Sequence, residues 1–123
     1  MGLQFENLVL NNFHSVYKSL GIDPSEVIYD SPYFQRATKT HPGCQVDYLI
    51  QTKFNTLYLC EIKFSKESIG VSVVKEVEEK KKRIAKPKNC SIRPVLIHLN
   101  GVTDAVVESD FFAKIVDFGQ FLT

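Results

Sequence analysis

The stretch Leu57–Phe64, LYLCEIKF, is apolar except at Glu61 and Lys63. Its length and its aromatic and aliphatic side chains predict a β-strand. Alternation sends Leu57, Leu59, Glu61 and Lys63 to one face and Tyr58, Cys60, Ile62 and Phe64 to the other. Both faces are apolar at the start, so the strand belongs in the middle of a sheet covered by helices. The charged pair then emerges at its C-terminal end, where a cleft can open. A second strand signal, Gln45–Gln51, precedes it, and the polar link Thr52–Asn55 is short enough for an antiparallel hairpin. Strict alternation puts Val46, Tyr48 and Ile50 on one face of this strand and Gln45, Asp47 and Leu49 on the other. In the corresponding register Asp47 lies beside Glu61 and Lys63.

Two carboxylates on neighbouring strands repel and raise one another's pKa unless positive charge stands between them. A divalent cation removes that cost. Asp47 and Glu61 offer the hard oxygens that Mg²⁺ or Mn²⁺ accepts, and the Ile62 carbonyl offers a third. Lys63 is then placed to hold or help deprotonate a water at the ion and to offset charge on a phosphate. The residues alone leave an ion pair at a strand end equally open. Glu-x-Lys also occurs at Glu78/Lys80 and Glu79/Lys81, but there it falls on a charged helix, where a spacing of two does not bring side chains together. Those pairs read as solvated surface.

Outward from the hairpin, Leu3, Phe5, Leu8, Val9, Phe13, Val16, Tyr17 and Leu20 recur at helical intervals, predicting one amphipathic helix over Gly2–Leu20. Gly21 ends it and Asp23-Pro24 starts a turn. Glu26–Arg36 reads as a strand that Pro32 interrupts or confines to an edge. Ser31–Pro42 and Lys86–Ser91 have loop composition. Val71–Ala85 reads as a charged helix with a stripe of Val73, Val74, Val77 and Ile84, stopping before Pro87. Ile92–Leu99 is a further strand. The tail suggests strands at Asp104–Val107 and Ala113–Val116, and a helical turn after an N-capping Asp117. The order predicts an α/β domain, a mixed sheet flanked by helices.

The chain has 123 residues, 44% of them hydrophobic, which suits one domain over 1–123. A formal charge of +1 gives no global attraction to polyanions, so nucleic-acid affinity would need a local basic surface. The three cysteines, Cys44, Cys60 and Cys90, make no disulfide framework or zinc spacing, and a reducing cytoplasm is the expected setting. Neither a signal peptide nor an apolar run of about 18 residues is present, so no membrane partner is expected.

Asp47, then Glu61-Ile62-Lys63 after a hairpin, resembles the D-(x)n-(D/E)-x-K signature of the PD-(D/E)xK nuclease superfamily, with Val46 in place of the proline. GLQFENLVLNN, QVDYLI, LYLCEIKFS and AKIVDFGQFL together resemble the nuclease-like C-terminal domain of prokaryotic AAA-type ATPases, over nearly the whole chain. The resemblance implies a restriction-endonuclease-like α-β-β-β-α-β core. It implies Glu6, Asp47 and Glu61 around one or two Mg²⁺ or Mn²⁺ ions, with Lys63 at the water. It further implies metal-dependent hydrolysis of DNA, and an AAA-type ATPase domain upstream in the natural chain. Members attached to ATPases also serve as non-catalytic DNA-binding or regulatory modules, so that alternative stands beside the nuclease.

The remaining candidates have plainer expectations. Lys80-Lys81-Lys82-Arg83, with Lys75, Lys86 and Lys88, is the densest basic stretch and reads first as a solvated face, second as a phosphate contact. Lys75 and Glu78 are weaker cleft candidates. His14, His41 and His98 lack metal-ligand spacing. Cys60 faces away from Glu61 as a core residue. Phe111, Phe112, Phe118 and Phe121 are expected to fill the second face of the sheet or a homodimer contact, two readings the sequence does not separate.

Overall fold

The computed structural model describes residues 2–86 and 88–121, excepting the side chains of 2–6 and 121. Five strands form one mixed sheet in the order β1-β2-β3-β4-β5: β1 is Val27–Gln35, β2 Cys44–Thr52, β3 Thr56–Lys63, β4 Ser91–His98 and β5 Lys114–Asp117. β1/β2 and β2/β3 pair antiparallel, whereas β3/β4 and β4/β5 pair in parallel. β3 is therefore the central strand, as its two apolar faces demand. Its hairpin with β2 turns through Asn55, whose φ of 56° is a left-handed conformation that Asn tolerates.

Helices cover both faces. On one side α3, Ser72–Arg83, and α4, Asp104–Glu108, bring Val73, Val77 and Val106 against Leu49, Leu57, Leu59 and Leu96. On the other side α1, Gly2–Asn11, and α2, Phe13–Leu20, bring Val9, Phe13 and Val16 against Ile50, Cys60, Ile62, Val95 and Ile97. Phe112 joins the first core and Phe118 the second, while the Phe121 side chain lies outside the described residues. Burying a side chain such as Leu59 contributes about 1.5–3 kcal/mol.

Four local expectations are corrected. The single helix over Gly2–Leu20 is two, broken at Asn12, whose side-chain amide donates to the Leu8 carbonyl at 2.9 Å and whose φ of −123° leaves the helical region. An Asn that bonds locally to the backbone competes with helix continuation. Gly21, at φ 71°, then closes α2 in the left-handed conformation that glycine adopts freely. Asp104–Val107 is the helix α4 rather than a strand: the Val106 and Val107 amides donate to the Thr103 carbonyl, and only Val106 is buried. Three apolar residues after an aspartate cannot distinguish the two periods.

The expected loop over Ser31–Pro42 starts later, because β1 continues to Gln35 as an edge strand with Pro32 inside a register irregularity. That irregularity also changes β2. Ser31 and Tyr33 oppose Leu49 and Val46, so two steps on β1 match three on β2 and one β2 residue is extra. Val46 consequently joins the α3-side core with Leu49, against strict alternation. No helix among the described residues is long and apolar enough to cross a membrane.

Candidate active site

The β2–β3 ladder runs from Thr52/Thr56 to Tyr48/Cys60. One step further stands Asp47, in the segment holding the extra residue. Its Oδ2 accepts the Ile62 backbone amide at 2.8 Å, so the side chain takes the place of a ladder acceptor. The bulge thus pins a carboxylate against the end of the central strand.

Glu61 points to the α3 face and is 2% exposed. A buried charge needs a partner, and α3 provides one. At about 100° per residue, Val73, Val77 and the C-capping Ile84 fall within a narrow arc of about 40°, and position 80 flanks that arc about 20° beyond its edge. The stripe that docks α3 on the sheet therefore carries Lys80 inward as well. Its Nζ donates to Oε1 of Glu61 at 2.7 Å and to Oε2 at 2.9 Å. One turn earlier, Oε1 of Glu76 accepts from Nζ of Lys63 at 2.8 Å. Glu61 and Lys63 on β3 thus meet Lys80 and Glu76 on α3.

The C-terminal end of α3 is fastened to the edge of the sheet by Gln35. Its Nε2 donates to the Pro42 and Arg83 carbonyls, each at 2.8 Å, and its Oε1 accepts the Ala85 amide at 2.7 Å. These bonds fix the helix that presents Glu76 and Lys80.

Gly43, Gln45, Asp47, Glu61, Lys63 and Glu76 line a cleft of about 660 Å³, together with Glu79, Lys80 and Arg83. Burial raises the Glu61 carboxyl above its ordinary value; the Lys80 hydrogen bond opposes this and the neighbouring charge of Asp47 reinforces it. Burial pulls Lys63 down, but its hydrogen bond to Glu76 and the charges of Glu61, Glu76 and Asp47 outweigh this and leave it above its ordinary value. Lys63 is therefore held as an ammonium, fitted to donate hydrogen bonds and offset negative charge rather than to accept a proton.

Asp47, Glu61, Ile62 and Lys63 stand together in this cleft. Glu6 lies on α1, and its side chain is outside the described residues. Lys80, expected on the solvated face, is instead the direct partner of Glu61. Its signal is its position on the flank of the apolar stripe. Glu76, Glu79 and Arg83 also line the cleft, whereas Lys75 and Glu78 are exposed and do not. Lys82/Glu78 at 3.7 Å and Arg83/Glu79 at 2.8 Å are pairs along the helix surface, as a charged helix face predicts. Cys60 is fully buried on the opposite face, where burial pushes its thiol up.

No group of three or more His, Cys, Asp or Glu side chains suited to a metal ion stands among the described residues. The donor chemistry nevertheless fits Mg²⁺, which is commonly held by one or two carboxylates with waters completing its octahedron. Asp47 and Glu61 are two such carboxylates in one cleft.

The chain matches no protein-family model and no curated protein sequence. Among solved structures it is similar to a repair endonuclease from Pyrococcus abyssi, with a TM-score of 0.55 and 13% sequence identity. The similarity covers 90% of this chain and 43% of that one. The five-stranded mixed sheet with its flanking helices thus matches an endonuclease-like fold.

Proposed function

We propose that the cleft at the end of β3 hydrolyses DNA phosphodiester bonds with the help of Mg²⁺ or Mn²⁺, as a member of the PD-(D/E)xK superfamily. The observation carrying this reading is the convergence of Asp47, Glu61 and Lys63 on one cleft, with Asp47 pinned to the Ile62 amide at 2.8 Å. Asp47, Glu61 and the Ile62 carbonyl would hold the ion, with Glu6 of α1 as a further acid. Bound there, the ion supplies Lewis acidity and neutralises phosphate charge. Lys63, kept cationic by Glu76, donates to a water or phosphate oxygen and offsets the negative charge that builds during attack. Arg83 and Lys80 add positive charge along the cleft for the DNA backbone.

A second reading, a non-catalytic DNA-binding or regulatory module, draws support from the closed charge pairing: Glu61 is engaged by Lys80 at both oxygens and Lys63 by Glu76. An AAA-type ATPase partner in the same natural chain, a homodimer contact and a cytoplasmic setting belong to the proposal.

Cleavage of supercoiled, linear, single-stranded and branched DNA with Mg²⁺ or Mn²⁺ tests the nuclease reading, with Glu61→Ala and Lys63→Ala beside the wild type. Cutting that needs metal and disappears in both variants supports it. Absence of cutting on every substrate, with no metal binding by calorimetry, turns the assignment to the second reading.

A further inference from the structure

We infer that Lys80 is the resident cation of the Glu61 carboxylate, and that a divalent ion enters the cleft by displacing it. The inference deepens the metal-dependent reading above and rests on it.

Glu61 is 2% exposed, and both of its oxygens already accept from one ammonium, at 2.7 and 2.9 Å. An ion that takes a Glu61 oxygen as ligand competes for the lone pairs and negative charge that Lys80 now uses. Asp47 gives its Oδ2 to the Ile62 amide and keeps its other oxygen for an ion, so the seat that has to be cleared is the one at Glu61. Lys63 is not the competitor, since its hydrogen bond goes to Glu76 at 2.8 Å. Lys80 has somewhere to go: its side chain is 23% exposed, against 2% for Glu61, and it lines the open cleft. The long aliphatic stem lets the ammonium swing outward while Val73, Val77 and Ile84 keep α3 docked.

The linkage is a competition with a definite sign. If Glu61 is free of Lys80 for only a fraction of the time, the apparent metal affinity falls by that fraction. Removing the Lys80 charge therefore tightens metal binding, whereas a guanidinium, which grips a carboxylate with two parallel bonds, weakens it. Loss of a nearby positive charge also favours a cation in general, and Lys82→Gln measures that contribution, because Lys82 lies on the same helix but pairs with Glu78 at the surface.

The test is calorimetric titration of Mn²⁺ into the wild type, Lys80→Gln, Lys80→Arg and Lys82→Gln, each checked for native circular dichroism. Lys80→Gln is expected to bind about tenfold or more tightly than the wild type, the size of effect that follows if Glu61 is free about a tenth of the time. Lys80→Arg is expected to bind more weakly, and Lys82→Gln within about twofold of the wild type, as a screened surface charge implies. Should Lys80→Gln not fold, the weaker binding of Lys80→Arg decides the matter alone. Wild-type binding with Lys80→Gln unchanged, weakened or equal to Lys82→Gln overturns the inference and leaves the metal reading standing. No Mn²⁺ binding by any of the proteins overturns both.

Discussion

Lys63 and Glu61 are two residues apart on one strand, yet Lys63 makes its hydrogen bond to Glu76 on α3, 2.8 Å away. Glu76 therefore positions the ammonium. Glu76→Gln is expected to leave stability within about 1 kcal/mol, because the pair is partly exposed. On the proposed nuclease reading it should lower DNA nicking by about ten- to hundredfold through loss of alignment, with Lys63→Ala lower still. Plasmid nicking and urea melts measure the two effects, and a Glu76→Gln protein that nicks like the wild type removes Glu76 from this role.

Asp47 carries a structural duty apart from any chemistry. Asp47→Ala leaves the Ile62 amide without its acceptor and is expected to cost about 1–3 kcal/mol. Asp47→Asn keeps a carbonyl oxygen in place and should lose less than half of that. Urea denaturation of both variants decides the point: equal losses mean that the hydrogen bond contributes nothing.

Gln35 predicts a local effect. Gln35→Ala releases the Arg83 carbonyl and the Ala85 amide, for about 1–2 kcal/mol. Hydrogen exchange at Ala85 should quicken while the Leu59 amide on central β3 keeps its protection. Equal acceleration at both sites would mean that the clamp supports the whole domain rather than the end of α3.

His98 gives the stability a pH dependence. It is buried at the end of β4, its Nδ1 accepts the Gly101 amide at 3.1 Å, and burial lowers its pKa below 6.5, partly opposed by Asp117. The unfolded chain then binds the proton more readily than the folded one. The contribution is complete above pH 6.5 and is lost as pH falls from there through the folded value. His98→Asn, which retains an acceptor, should flatten the His98 part of the slope in melting temperature on the acid side of 6.5; an unchanged slope assigns it to other groups.

The sheet and the acidic pair were legible because they rest on short-range patterns. Alternation identified β3, a short polar link fixed its hairpin with β2, and register then put Asp47 near Glu61. Lys80 is not legible from charge alone: among lysines it reads as solvated, although its place beside the Val73 and Val77 stripe carries it inward to Glu61. Asn12 and Val46 show the other limit. A side chain bonding to its own backbone and one extra residue in a strand both break periodicity, and both depend on partners that local sequence does not display.

The position of β3 between a tight hairpin and a parallel crossover also sets an order of assembly. Its pairing with β2 closes a short turn, an event of about 1–10 μs, whereas its pairing with β4 waits for residues 64–90 to be organised, at a larger entropic cost. Asp47 and Glu61 are thereby gathered on the early hairpin, while Lys80 and Glu76 arrive with the late crossover. That order predicts a stage in folding at which two like charges meet before their neutralising partner docks. Stopped-flow refolding near neutral pH should accordingly be faster for Glu61→Gln than for the wild type, and the difference should shrink as salt screens the repulsion.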